Sequence, residues 1–87
     1  MIEKEYSIST SEGLHARPAT ALVRLAKNFT SVISIHKAGK TVQLNSLLNI
    51  LSMGIKGGDK LQVRIEGEDE TAAAGALDHF FAQIKDM

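Results

Sequence analysis

Apolar residues recur every second position in some stretches of the chain and every third or fourth in others, and the changes of period mark its elements. Residues 2–9 alternate, with Ile2, Tyr6 and Ile8 on one side and Glu3, Glu5, Ser7 and Ser9 on the other. Lys4 interrupts the apolar side, but the pattern still predicts a half-buried strand. Thr10 to Leu14 reads as a loop. From Ala16 to Asn28 the period becomes helical: Ala19, Leu22, Val23 and Ala26 make one buried face, with Thr20, Arg24 and Lys27 outside it. Residues 32–37 return to alternation, Ile33 and Ile35 inward and Ser34 and His36 outward. Lys37-Ala38-Gly39-Lys40 reads as a hairpin turn with Gly39 supplying positive φ, after which Val42 and Leu44 continue a short strand.

Asn45-Ser46 opens a second, short helix with Ser46 as N-cap, ending near Gly54. A turn at Lys56-Gly57-Gly58-Asp59 leads to the cleanest alternation in the chain, Leu61, Val63 and Ile65 against Gln62, Arg64 and Glu66. Gly67 ends that strand. Asp69 is the expected N-cap of a last helix over 70–85, whose core stripe is Ala73, Leu77, Phe80 and Ile84. Gly75 inside it costs ~1 kcal/mol of helix propensity relative to Ala. The order is strand, helix, strand, strand, helix, strand, helix. Four strands with one wet face and helices on the other predict an α+β open-faced sandwich.

Length and composition narrow the function classes. Eighty-seven residues, 44% hydrophobic, make a single domain over residues 1–87 with a small core, and its compact ends read as those of a complete protein. Lys and Arg together number 10 and Asp and Glu 10, so there is no basic footprint for nucleic acid. No cysteine is present to form a disulfide, a zinc knuckle or a thiol nucleophile. Met1-Ile2-Glu3-Lys4-Glu5 lacks the basic-then-apolar order of a signal peptide, and no apolar run approaches membrane-spanning length. A soluble cytoplasmic protein is expected. Without HxH or HExxH spacing no metal is expected, and Gly57-Gly58-Asp59-Lys60 lacks the spacing and the following Ser/Thr of a P-loop.

Chemistry concentrates in Gly13-Leu14-His15-Ala16-Arg17-Pro18-Ala19-Thr20, where the first helix begins. Pro18 is tolerated in a first turn because its missing N–H has no intrahelical partner there. The last helix surrounds its start with Glu68, Asp69 and Glu70, whereas the first has His15 and Arg17, with Glu12 upstream as the nearest acid. An unneutralised helix N-terminus wastes roughly 0.3–1 kcal/mol in a purely structural helix but attracts a phosphate. Ala16, Arg17 and Pro18 would then cradle a phosphoryl group. An imidazole with pKa near ~6.5 is substantially neutral at cellular pH, so His15 can attack phosphorus. Arg17 offers planar donors to the phosphoryl oxygens. Taken singly, a histidine at a helix start is more often an exposed or capping residue, and an arginine a solvated charge. The ordered set is far more specific than its members.

The short helix is apolar nearly all round. Ile50 and Met53 suffice for its buried face, leaving Leu47, Leu48 and Leu51 as a docking patch, joined by Thr20 on the first helix. A wholly buried helix under a loop is the alternative.

In these residues the chain resembles the HPr family, the histidine-containing phosphocarriers of the bacterial phosphoenolpyruvate:sugar phosphotransferase system. The resemblance covers nearly the whole chain: Gly13 to Ala19, Phe29-Thr30-Ser31, Gly39-Lys40, Ser46-Leu47, Ser52-Met53-Gly54 and Glu66-Gly67-Glu68-Asp69-Glu70. It implies a βαββαβα fold, a monomer and no cofactor. It further implies that His15 accepts phosphate on Nδ1 from phosphorylated enzyme I and passes it to the EIIA domain of a sugar permease, with Arg17 stabilising the phosphorylated form. In low-GC Gram-positive members the serine matching Ser46 is phosphorylated by a dedicated kinase. That modification slows phosphotransfer and signals catabolite repression, which implies a serine kinase and a catabolite-control transcription factor as partners. Their pattern continues Ile-Met-Gly where this chain has Leu47-Leu48-Asn49, and enteric-type members carry the serine without this control. Ser46 also explains itself as an N-cap worth ~1 kcal/mol. The nitrogen-branch paralogue, a carrier feeding a dihydroxyacetone-type system, and a regulatory module acting through Ser46 and the leucine patch stay open beside the sugar carrier.

Overall fold

Strand β4 (Lys60–Glu66) organises the sheet, with Leu61, Val63 and Ile65 buried and Lys60, Gln62, Arg64 and Glu66 exposed in strict alternation. The computed structural model describes residues 1–8 and 16–84. In them β4 lies between β1 (Ile2–Ser7) and β2 (Val32–Lys37), and β2 carries β3 (Lys40–Gln43), giving the antiparallel order β1-β4-β2-β3. Register aligns Glu3, Arg64, Ser34 and Gln43 across all four strands, and Glu5, Gln62, His36 and Thr41 in the next row. These rows form the wet face. The apolar face is covered by α1 (Ala16–Ala26), α2 (Leu47–Ser52) and α3 (Glu70–Gln83), and one continuous core joins Ile33, Ile35 and β4 to Leu22, Ile50 and Leu77. The expected βαββαβα open-faced sandwich is the fold observed.

The departures lie at element ends and edges. Strand β1 stops at Ser7 rather than Ser9, because Ile8 turns its backbone to the 56–59 turn: its N–H donates to the Asp59 carbonyl at 2.9 Å and its carbonyl accepts from Gly58 N–H at 2.8 Å. Helix α1 ends at Ala26 rather than Asn28. Its chain tightens there into three-residue bonds, Asn28 N–H to the Leu25 carbonyl and Phe29 N–H to the Ala26 carbonyl. Helix α3 ends at Gln83, and the rest of its expected span to 85 lies outside the described residues. Leu44 is buried and its N–H still reaches the Ile33 carbonyl at 2.8 Å, although β3 ends one residue earlier. The hairpin turn uses positive φ at both Ala38 (51°) and Gly39 (79°), so an alanine accepts a conformation costing it ~1–2 kcal/mol.

Lys4 is reconciled with the apolar side by its place on an edge strand. Its Nζ meets Asp78 of α3 at 3.2 Å, and the Tyr6 hydroxyl donates to the same carboxylate at 2.6 Å. The Tyr6 ring stacks on Phe81 at 4.3 Å, and burial followed by the Asp78 hydrogen bond raises the phenol well above its usual pKa.

Asp69 corrects one expectation. It precedes α3, but its side chain does not cap that helix. Instead it accepts from the N–H groups of Thr30 (2.8 Å) and Ser31 (2.9 Å) and from the Ser31 hydroxyl, tying the loop before β2 to the start of α3. The Ser31 hydroxyl, and then the Thr30 N–H, hold its carboxyl below the ordinary value of 3.8. A group depressed in this way contributes stability that is complete above its unfolded pKa and is lost as pH falls through the lower folded value. The urea midpoint is therefore expected to hold from pH 7 to about 4 and to fall below that. Asp69→Asn should start lower and show a shallower acid limb; a wild-type limb in the variant would refute the assignment.

Candidate phosphoryl site and docking face

The first helix keeps the asymmetry its sequence promised. Its first turn holds no acid, Ala16 and Arg17 are exposed, and Pro18 and Ala19 are buried directly behind them. Pro18 fixes φ where the chain enters the helix, and its ring joins the core, so the N-terminal N–H groups of Ala16 and Arg17 are set on a rigid base. The Thr20 hydroxyl donates back to the Ala16 carbonyl at 2.7 Å, and Thr20 is half-buried. That bond commits its proton to the helix. His15 and Gly13 lie outside the described residues.

Helix α2 packs against α1 and adjoins β3. Ser46 takes the N-cap position in extended conformation (φ −145°, ψ 127°), and its hydroxyl accepts from Asn49 N–H at 3.5 Å, a long bond. Ile50 and Met53 are buried, as the pattern required. Of the three patch leucines, Leu48 is 78% exposed and Leu51 38%, whereas Leu47 is half-buried against the core. The patch is therefore centred on Leu48 and Leu51, with Leu47 as its footing.

Sequence patterning passes over Lys37, Lys40 and Asp59. Lys37 Nζ reaches Asp59 at 2.8 Å and donates to the Gly54 carbonyl at 3.2 Å, while Lys40 Nζ approaches the Ser52 carbonyl at 3.4 Å. Helix α2 has no basic residue in its own last turn, so the β2–β3 hairpin supplies cations to its C-terminal carbonyls from outside. For the two lysines, though not for Asp59, a signal is present in the sequence: a helix with an unserved C-terminus and two lysines flanking the preceding turn.

The other histidines stand apart from these helices. His36 is on the wet face with Nδ1 at 2.7 Å from the Thr41 hydroxyl, and His79 is exposed on α3. A shallow concavity also lies on that face, lined by Glu3, Glu5, Ser34, His36, Gln62 and Arg64 among others. Arg64 there is already bridged to Glu3 at 3.0 Å, so the surface exerts no net pull on an anion. No helix of the described residues is long and apolar enough to cross a membrane.

Comparison with known proteins finds relatives of both the sequence and the fold. Residues 2–83 match the family model described as the PTS HPr component phosphorylation site. The phosphocarrier protein HPr of Borreliella burgdorferi is 38% identical over 86 residues, covering 99% of this chain and 100% of that one. The crystal structure of HPr-C-His from Thermoanaerobacter tengcongensis superposes with a TM-score of 0.93 at 34% identity, over 100% of this chain and 98% of its own. That of a phosphocarrier HPr from Bacillus anthracis gives 0.85 at 36% identity, over 92% and 95%.

Proposed function

This chain belongs to the HPr family of phosphotransferase-system phosphocarriers, and on that premise we propose that His15 takes a phosphoryl group from phosphorylated enzyme I and passes it to the EIIA domain of a sugar permease. The observation that carries this reading is the start of α1. Directly after His15 in the sequence come an acid-free first turn, an exposed Arg17 and a buried Pro18. The neutral imidazole contributes its Nδ1 lone pair to phosphorus as the bond to the donor atom breaks and its electron pair leaves with the donor. On EIIA the sequence repeats with the new N–P bond as the one that breaks. Ala16 and Arg17 N–H groups and the Arg17 guanidinium take the phosphoryl charge, and Pro18 holds the turn in place. Phosphoryl transfer demands mainly positioning and charge stabilisation, so a small carrier suffices when its partners supply the remainder.

In this reading the 87 residues work as one monomeric domain in the cytoplasm, without a cofactor, as a carrier regenerated at each cycle rather than an enzyme. The exposure of Leu48 and Leu51 beside the Ser46 cap favours a second role for the same face: docking a serine kinase or a catabolite-control transcription factor. A phosphate on Ser46 would sit at a helix start and be tolerated by its dipole.

Intact mass after incubation with phosphoenolpyruvate and enzyme I tests the carrier role. One added phosphoryl group that brief acid treatment removes is the expected result. A folded sample that takes up none, beside an active control carrier, would overturn it. An acid-stable adduct formed only with ATP and the kinase would assign phosphate to Ser46 instead.

A further inference from the structure

We propose that the Lys37–Asp59 ion pair is a positioning device for phosphotransfer, a joint that locks the β2–β3 hairpin, the C-terminal end of α2 and the end of β1 together and so fixes how Leu48 and Leu51 meet a partner protein. The inference rests on the carrier reading above and takes the exposed Leu48 and Leu51 patch of α2 as the face that meets enzyme I and EIIA.

Three observations converge on the joint. Helix α2 spans only Leu47–Ser52, too short to hold its own conformation in water, so its orientation must come from tertiary contacts. At its C-terminal end the Gly54 carbonyl accepts from Lys37 and the Ser52 carbonyl from Lys40, both lysines being carried by a hairpin that is itself hydrogen-bonded into the sheet. The same Lys37 ammonium is held by Asp59 at 2.8 Å. Asp59 is fixed before the lysine arrives, because its carboxylate also accepts the Lys56 N–H at 2.8 Å while its carbonyl accepts the Ile8 N–H at 2.9 Å. A carboxylate already ordered loses less entropy on pairing than a free one. One ion pair therefore bears on both the α2 end and the end of β1.

Shielding separates this pair from the two other side-chain ion pairs among the described residues. Its side chains are 21% and 28% exposed, against 37% and 49% for Lys4–Asp78 and 61% and 65% for Arg64–Glu3. Solvent screens it least among these three. Lys37, with the Lys56 N–H next, keeps the Asp59 carboxyl below its usual range, which agrees with a pair formed throughout the neutral region.

The test is the steady-state phosphorylation of this chain by enzyme I and its delivery to EIIA, with Lys37→Met, Asp59→Asn, the double variant and Lys37→Arg. Each single neutralisation should raise the KM for the chain about two- to fivefold and leave kcat within about twofold. The double variant should be no worse than either single, and Lys37→Arg should retain most of the wild-type KM. Amide exchange at Ile8 should quicken in Asp59→Asn. An unchanged KM in Lys37→Met, additive single effects, or a lowered melting temperature with wild-type kinetics would overturn the inference. Wild-type chain that takes up no phosphate in the same assay would overturn the carrier reading, and this role of the pair with it; wild-type uptake beside indifferent variants would overturn the joint alone.

Discussion

Replacement of His15 by alanine is expected to reduce phosphoryl uptake by at least about a thousandfold while leaving the urea midpoint and its slope near the wild-type values. The nucleophile cannot be replaced from elsewhere among the described residues. His36 has Nδ1 engaged with Thr41 on the wet face of the sheet, across the sheet from the helices, and His79 is exposed on α3. Neither stands at the start of a helix, so neither has N–H groups arrayed to receive the phosphoryl oxygens. The fold should survive the change because burial at this end of α1 is supplied by Pro18, Ala19 and Leu22. Intact-mass measurement on the phosphorylated mixture reads the loss, and denaturation of the same sample reads the fold. Uptake within tenfold of wild type would remove His15 from the mechanism, and a collapsed midpoint would make the residue structural first.

Local pattern makes the centre of the fold legible and leaves its long-range joints invisible. Strands β2 and β4 are central in the sheet and buried on one face only, so Ile33, Ile35, Leu61, Val63 and Ile65 are buried at every second position, with Val32 the apolar residue left exposed on the other face. The α1 face and the Ser46 cap are likewise decided within a few residues of themselves. Asp69 misleads because its three hydrogen-bond donors come from Thr30 and Ser31, about forty positions earlier, and an acid before a helix satisfies the capping pattern whatever it bonds. Lys4 looks like a flaw in β1 because Asp78 belongs to an element not met until much later in the chain. Ala38 gives no sign of its positive φ beside Gly39, which alone would satisfy the turn signal.

The candidate site divides in the same way. Arg17, Pro18, Leu48 and Leu51 stand where a short-range reading puts them: a helix start and a helix face are local objects. Leu47 lies further inward because α2 leans on the core through it as well as through Ile50, which a helical period cannot distinguish in six residues. The Lys37–Asp59 pair is hidden for the reason the Asp69 bonds are: no local period announces which charge will face which.

Gly67→Ala is expected to cost about 2–4 kcal/mol, the largest loss of stability from a methyl addition at any of the described glycines. A Cβ at position 67 would stand 2.6 Å from the Ser31 Cα and 2.6 Å from its hydroxyl oxygen, closer than real atoms approach. The φ of +155° adds backbone strain that only glycine escapes. Ser31 cannot retreat. It is buried, its N–H and hydroxyl are both held by Asp69, and the next residue, Val32, is paired with Glu66 across β2 and β4. Relief must come from moving the loop before β2 or the start of α3, and either movement breaks the Asp69 bonds. For a domain of this size the melting temperature should fall by more than about 10 °C. Ser31→Gly in the same chain should recover only part of that. It removes the clashes with the hydroxyl and the Ser31 side-chain carbon, but the backbone of residue 31 still crowds the new methyl and a bond to Asp69 is forfeited. Gly75→Ala is the matching control, because a Cβ there meets nothing within 4 Å and should stabilise α3 slightly. Equal midpoints for Gly67→Ala and wild type would mean that the loop before β2 yields at no cost, and that Asp69 does not anchor it.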